Sequence, residues 1–362
     1  MMCGFIPDRS VREKALSAVL WLSLGAIAAT GQQNPTPHQP LVPSQAPEKQ
    51  SPSHNAEFFH KATNGSIFIY DDQHDPCAAL PPNLTLLPLG SGFVAGIEKK
   101  GVSTPQLWNG WKFLITAKHV VANHNEIVIR VNAENESKLV CKTVKLETQG
   151  KEQNVVSAPS GVDLVGILLP QLEGADPTVV TSSLLIDEAK MKEWSIGVGT
   201  EVLTIGYLFS YSGQKANFPV AKFGHISLMS GESWYFNPES RMMEQGYALD
   251  LSNAPGLSGA PVYTHGVEIE TNPFRYRDLP PYLVGVVKGL MLAPVNGQLI
   301  SQGVAVIEPG TNLKALMRQI ATMLKSKGAD VVERCHRDIP ARLQRAARSA
   351  LVNQALCHSS SV

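Results

Sequence analysis

The sequence predicts an all-β protein, and three observations carry that expectation. Short apolar, β-branched runs of about four to eight residues recur along most of the chain, turn-forming residues separate them, and only one segment holds a long helical period. The runs are SIFIY (66–70), GFVAGI (92–97), WKFLIT (111–116), EIVIRV (126–131), DLVGILL (163–169), EVLTIGYL (201–208), APVY (260–263) and YLVGVV (282–287). With 29 glycines and 25 prolines among 362 residues, turns are frequent enough to connect short strands into a barrel or a sandwich.

In chain order, residues 1–31 read as a secretory signal. Arg9, Arg12 and Lys14 precede the apolar run ALSAVLWLSLGAIAA (15–29), which is shorter than the roughly 20 residues a helix needs to cross hydrocarbon. Small residues at Ala26 and Ala28 complete the pattern of a cleaved leader, with an uncleaved anchor as its rival. The expected location is secreted or periplasmic, with no stable membrane span. Residues 32–60 read as a linker, because the stretch QQNPTPHQPLVPSQAPEKQSPSH (32–54) is rich in proline and glutamine and has almost nothing to bury. The folded domain is expected over 61–326. Near its end Thr311 is placed to cap a helix in which Leu313, Leu316, Met317, Ile320 and Met323 recur at helical spacing. Residues 327–362 read as a basic tail, with Arg342, Arg345 and Arg348 on one face of a short solvated helix.

Charge and cysteine content exclude several classes. Lys and Arg total 31 against 31 for Asp and Glu, and a net charge of zero argues against a general nucleic-acid binder, which needs excess cation to displace counterions. If Cys3 leaves with the leader, Cys77, Cys141, Cys335 and Cys357 remain. Four cysteines allow two disulfides in three connectivities, with free buried thiols as the equal alternative. None has the Cys-x-x-Cys spacing of a zinc site. The segment YDDQHDP (70–76) gathers Asp71, Asp72, His74 and Asp75 but lacks the glycine and distal glutamate of a calcium loop, so a polar turn is expected there and no metal.

Three segments carry chemistry. WKFLITAKHVV (111–121) delivers His119 at the end of a strand, Asp163 opens the strand in GVDLVGILLP (161–170), and NAPGLSGAPVY (253–263) holds Ser258 inside Gly-x-Ser-Gly-Ala-Pro. A serine hydroxyl is a weak nucleophile until a base takes its proton. Histidine titrates near working pH and suits that role. A carboxylate then fixes the imidazole tautomer and stabilises the imidazolium. Gly256 allows the chain before Ser258 to curl so that the Gly256 and Ser258 amides face one point, where they would bind an oxyanion. His124 lies in a polar turn, and Asp176 and Asp187 lie in polar surroundings, which leaves His119 and Asp163 as the candidates.

The order His119, Asp163, Ser258, with gaps of 44 and 95 residues, resembles that of chymotrypsin-like (trypsin-fold) serine peptidases. GSGFVAG (90–96) is similar to the strand that precedes the family's histidine, VLTIGYLFSYSGQKANFPVAKFGHIS (202–227) to a segment of the second barrel in bacterial members, and YLVGVVKG (282–289) and GVAVI (303–307) to the last strands. The resemblance covers about residues 65 to 325 and is nearest to bacterial secreted types, including the HtrA and glutamyl-endopeptidase kinds, without a PDZ module. It implies two packed antiparallel six-stranded β-barrels with a C-terminal helix, a protein or peptide substrate, no cofactor, and an active site in the cleft between the barrels.

The chain also departs from the family. Leu257 stands where a polar residue usually precedes the nucleophile, and Ala260 replaces a glycine after it; both are expected to crowd the leaving group. The resemblance puts Ser252 at the base of a substrate pocket and Val284 and Gly285 on its wall, in the stretch 284–291. Asp250 should face elsewhere if its strand is regular. Lys288 is expected to be solvated, with attraction of an acidic substrate side chain as the sharper reading. The alternative from another class is a catalytically decayed, trypsin-fold peptide-binding module. An esterase of the α/β-hydrolase kind is disfavoured, because position 260 is Ala and a strand, not a helix, follows Ser258.

Overall fold

The computed structural model describes residues 54–331 except 74, 79–85, 100–109, 134–137, 176, 209–212, 214, 233–234, 238–241, 252–254, 272–273 and 297. The leader, residues 32–53 of the proline-rich stretch, residues 332–362 of the basic tail with Cys335 and Cys357, and the pocket candidate Ser252 lie outside the described residues.

The chain begins with α1 (His54–Asn64), followed by β1 (Ile67–Tyr70), β2 (Gly90–Glu98), β3 (Gly110–Thr116), the single turn α2 (Lys118–Val121), β4 (Glu126–Asn132), β5 (Leu139–Lys145), β6 (Val155–Ser157), β7 (Val165–Leu168) and β8 (Val179–Val180). A second set follows: α3 (Glu188–Glu193), β9 (Glu201–Gly206), β10 (Val220–Met229), β11 (Tyr235–Asn237), β12 (Met242–Glu244), β13 (Tyr247–Asp250), β14 (Pro261–Thr264), β15 (Val267–Thr271), β16 (Phe274–Asp278), β17 (Leu283–Val295), β18 (Gln298–Pro309) and α4 (Gly310–Ser326).

Of the two barrels the sequence predicts, the second closes fully, in the order β10-β13-β18-β17-β14-β9. The first is a curled eight-stranded sheet, β5-β4-β1-β2-β3-β7-β6, with β8 added parallel to β2. Its two edges meet where the Asn154 and Val155 amides donate to the Glu147 carbonyl, at 2.9 and 3.1 Å, and where the Asn154 side chain accepts from the Glu147 amide and donates to Lys145 O, at 2.8 and 2.7 Å. β6 is three residues long, too short to continue that contact into a ladder.

Side-chain alternation explains why the central strands read as unbroken apolar runs. Along β2, Val94 faces an inner core with Ile67, Leu114, Ile127 and Ile129, while Phe93 and Ala95 face a second core shared with Leu283, Val286 and α4. β3 repeats the pattern, with Leu114 inward and Phe113 and Ile115 outward. A strand covered on both faces has no polar side to show. In the closed barrel, Val202, Ile226, Leu249, Leu257, Val262, Val284, Val287, Ala305 and Ile307 fill the interior.

α4 closes the domain, with Leu313, Leu316, Met317, Ile320 and Leu324 buried. It starts two residues earlier than a Thr311 cap would place it, and no side chain caps it: β18 runs straight into it through Pro309. Gly310 makes that junction possible, since a Cβ there would lie 2.6 Å from the Leu283 carbonyl oxygen. Ile320 seats on Gly166, where a Cβ would come within 2.5 Å of its Cδ1.

α1 is not expected from its sequence, HNAEFFHKATN, whose large apolar residues Phe58 and Phe59 show no helical period. It occupies 54–60 of the segment read as linker, so ordered structure starts ahead of residue 61. Phe58 and Phe59 meet Tyr263 edge-on, at 5.2 and 6.2 Å between ring centroids. Such pairs contribute about 0.5–1.5 kcal/mol each beyond area burial. Among the described residues no helix is long and apolar enough to cross a membrane.

Cys77 and Cys141 form a disulfide that ties the loop after β1 to β5. The bridged residues are 64 apart in sequence. Replacing both by serine is expected to cost on the order of 4 kcal/mol through loop-closure entropy. The check is the midpoint of thermal or denaturant unfolding; an unshifted midpoint would mean that other contacts hold the loop.

Candidate active site

β3 and β7 pair with Thr116 opposite Val165. His119 lies three residues after Thr116 and Asp163 two before Val165, so both fall at the same end of this strand pair. The α2 turn carries His119 just past the end of the strand. Asp163 grips it at two points: Oδ1 accepts from the His119 amide at 3.0 Å, and Oδ2 lies 2.6 Å from Nδ1. A carboxylate only accepts, so the second contact puts the proton on Nδ1 and leaves Nε2 as the ring's basic atom. The Lys118 amide donates to the Asp163 carbonyl at 3.3 Å. The His119 side chain is 38% exposed and that of Asp163 21%, so the ring opens to solvent on one edge while its partner sits deeper.

Ser258 comes from the closed barrel, in a turn bounded by Gly256 and Gly259 at φ of +101° and +85°. Both angles suit glycine, and both sites are tight. A Cβ on Gly256 would lie 2.4 Å from the Tyr207 ring, and one on Gly259 would lie 2.1 Å from the Ser91 carbonyl oxygen. The Gly259 amide donates to Val287 O at 2.8 Å. Among the described residues, neither the Gly256 amide, the Ser258 amide nor the Ser258 hydroxyl has a hydrogen-bond partner.

Sequence reasoning missed the strap that joins the two halves. Fully buried Ser91, on β2, donates its amide to Ser258 O and its hydroxyl to Gly256 O, each at 2.8 Å. The same hydroxyl accepts from the Tyr207 amide at 2.7 Å, and Thr116 Oγ1 donates to Ser91 O at 2.8 Å. Next to it, a Cβ on Gly90 would lie 2.9 Å from Ser258 O and from both Val120 methyl carbons. The neighbour of His119 and the backbone of Ser258 thus flank one glycine. The available signal was a serine set within an otherwise apolar strand.

The structure treats the other candidates differently. Leu257 and Ala260 are both fully buried in the closed-barrel core, so the crowding expected from them is directed away from the serine hydroxyl. Val284 belongs to the same core, and a Cβ on Gly285 would lie 2.3 Å from the Glu308 carbonyl oxygen. Exposure rises over 289–292. Asp250 is exposed. Asp187 caps α3 by accepting from the Lys190 amide and pairs with Lys314 at 2.9 Å. Burial opposes its ionisation, yet those two partners hold its carboxyl below the usual range. Lys288 is not solvated: it is buried beside Glu244 and Glu308.

In the acidic loop after β1, Asp71 and Asp75 accept from the Gln73 and Cys77 amides, as in a polar turn. Asp75 lies close to Cys77 and Cys141. Those sulfurs are bonded to each other and provide no thiolate ligand.

A closed antiparallel barrel, a curled antiparallel sheet and a C-terminal helix packed on both define a trypsin-like fold. Solved structures similar to the chain include the MamO protease domain of Magnetospirillum magneticum, apo form, 13% identical, with a TM-score of 0.40 over 71% of this chain and 97% of that one. The Rv3671c protease from M. tuberculosis in its active form is 19% identical, with a TM-score of 0.38 over 83% and 95%. The HtrA-type protease AlgW with a decapeptide is 17% identical, with a TM-score of 0.41 over 74% and 67%. No family model matches the chain, and no curated protein matches it.

Proposed function

We propose that the protein is a serine endopeptidase acting through His119, Asp163 and Ser258. The observation that carries this reading is the doubly held His119–Asp163 pair, 2.6 Å at its ring contact, set beside the Gly256–Gly259 turn by the Ser91 strap. In the reaction Ser258 Oγ attacks the peptide carbonyl carbon while His119 Nε2 takes its proton. Asp163 steadies the resulting imidazolium through Nδ1–H. The oxyanion settles on the Gly256 and Ser258 amides, a donor arrangement in which each hydrogen bond is worth about 10²–10³ in rate. The imidazolium then protonates the leaving amine, and water repeats the sequence in reverse on the acyl-enzyme. A direct Oγ–Nε2 hydrogen bond is not needed in the substrate-free protein, because such contacts often tighten only when substrate binds. The Cys77–Cys141 bridge supports export to an oxidising compartment, secreted or periplasmic.

A fluorophosphonate probe tests the reading. Covalent labelling is expected at Ser258, lost in Ser258→Ala and His119→Ala, and cleavage of a peptide library should then give the specificity. A folded wild-type protein that stays unlabelled would instead be a trypsin-fold binding module.

A further inference from the structure

We infer that the buried Lys288–Glu308 ion pair is a positioning unit for Asp163, and that Glu244 ties this unit to the β11–β12 hairpin. The inference rests on the peptidase reading above for its kinetic consequences, although not for its geometry. Glu308 Oε1 accepts from the Asp163 amide at 2.9 Å and from Lys288 Nζ at 2.9 Å, and Oε2 accepts from Asn312 on α4 at 3.0 Å. Lys288 Nζ also meets Glu244 Oε2 at 2.5 Å and the Gln245 carbonyl at 3.4 Å. The side chains of Lys288 and Glu308 are 2% and 1% exposed.

A strand irregularity puts the lysine there. The β17–β18 register shifts between Val287 and Gly289, so Lys288 is the extra residue of a bulge, and bulges re-aim side chains. Without it Lys288 would alternate with core residue Val287 and share a face with Val286, which packs toward α4. Buried ion pairs are poor devices for stability, because desolvation offsets most of the attraction, and apolar replacements often serve as well. A buried charge network with one arm on the Asp163 backbone is better accounted for by geometry. Fixing that amide fixes the Cα from which the carboxylate reaches both His119 contacts. Burial pulls the Lys288 pKa down, but Glu308 and Glu244 together push it above the ordinary lysine value, so the ammonium stays charged.

Three variants separate acceptor, charge and fold. Glu308→Gln keeps an oxygen for the Asp163 amide, Glu308→Ala removes it, and Lys288→Met strips the counter-ion. Glu308→Ala is expected to lower kcat on the order of 100-fold, the scale of a displaced catalytic group, with KM little changed, whereas Glu308→Gln retains most of the activity. A readout independent of turnover is the low-field NMR signal of the His119 Nδ1 proton, recorded in a Ser258→Ala background. It should persist with Glu308→Gln and vanish with Glu308→Ala. Should Glu308→Ala fail to fold, Lys288→Met carries the test: it should weaken both rate and signal, and adding Glu308→Gln to it should restore them. Retention of both rate and signal by folded Glu308→Ala, or by Lys288→Met in its place, overturns the inference. A normal signal and its predicted losses in a protein that never labels with fluorophosphonate would sink the peptidase reading and leave this one standing.

Discussion

If the protein is the proposed peptidase, Asp163→Asn is expected to lower the hydrolytic rate by roughly 10⁴-fold, the cost of holding the His119 imidazole in the wrong tautomer. The two contacts from Asp163 to His119 explain why so small a change has so large an effect. Oδ1 accepts from the His119 backbone amide and Oδ2 from the ring. An amide side chain offers only one accepting oxygen, so its NH₂ group must face one of these two donors. If the oxygen stays on the backbone, the NH₂ faces Nδ1 and moves the ring proton to Nε2, the atom that should take the serine proton. Folding should be spared, because the substitution conserves shape. The measurement is kcat/KM on a substrate drawn from the peptide library, alongside the melting temperature. A rate within about tenfold of wild type would mean that Asp163 does not set the tautomer.

Gly259→Ala is expected to destabilise the protein by several kcal/mol and to abolish any labelling of Ser258, whereas Gly161→Ala should cost only about 1–2 kcal/mol, the ordinary penalty for a side chain in the left-handed region. The two glycines have nearly the same backbone conformation, with φ of +85° and +84°. Their surroundings differ. A Cβ on Gly161 meets nothing within 4 Å, but one on Gly259 would lie 2.1 Å from Ser91 O and 2.2 Å from Thr116 Oγ1. Those two atoms are hydrogen-bonded to each other, and Ser91 also straps the Ser258 backbone. Neither can yield without opening the junction between sheet and barrel, so a steric clash is added to the conformational cost. Denaturant unfolding of both variants checks the difference; equal midpoints would remove the strap from the account of the site.

The strands that positioned these residues were legible because burial leaves a mark on composition. β1, β2 and β3 are covered on both faces and read as continuous apolar runs, and α4 shows its period through Leu313, Leu316, Met317 and Ile320. The candidate residues were legible through order and spacing: the structure pairs His119 with Asp163, and Val120, next to His119, and the Ser258 backbone flank one glycine, Gly90. Less was visible where partners come from distant sequence. α1 packs on Tyr263, some two hundred residues away, and Ser91 meets Gly256 at a separation of 165.

Lys288 marks the boundary most sharply. By composition it is a solvated lysine, and a single extra residue in the β17–β18 register buries it between two carboxylates. What the sequence by itself determined was the class of elements and the closing helix, and it nominated three side chains whose chemistry suits acyl transfer, because burial, periodicity and side-chain chemistry are properties of short segments. Only the tertiary structure decided which cysteines join, which serine straps the junction and which lysine is buried. Those outcomes depend on strand register and on contacts between residues far apart along the chain, and a register shift of one residue leaves no trace in local composition.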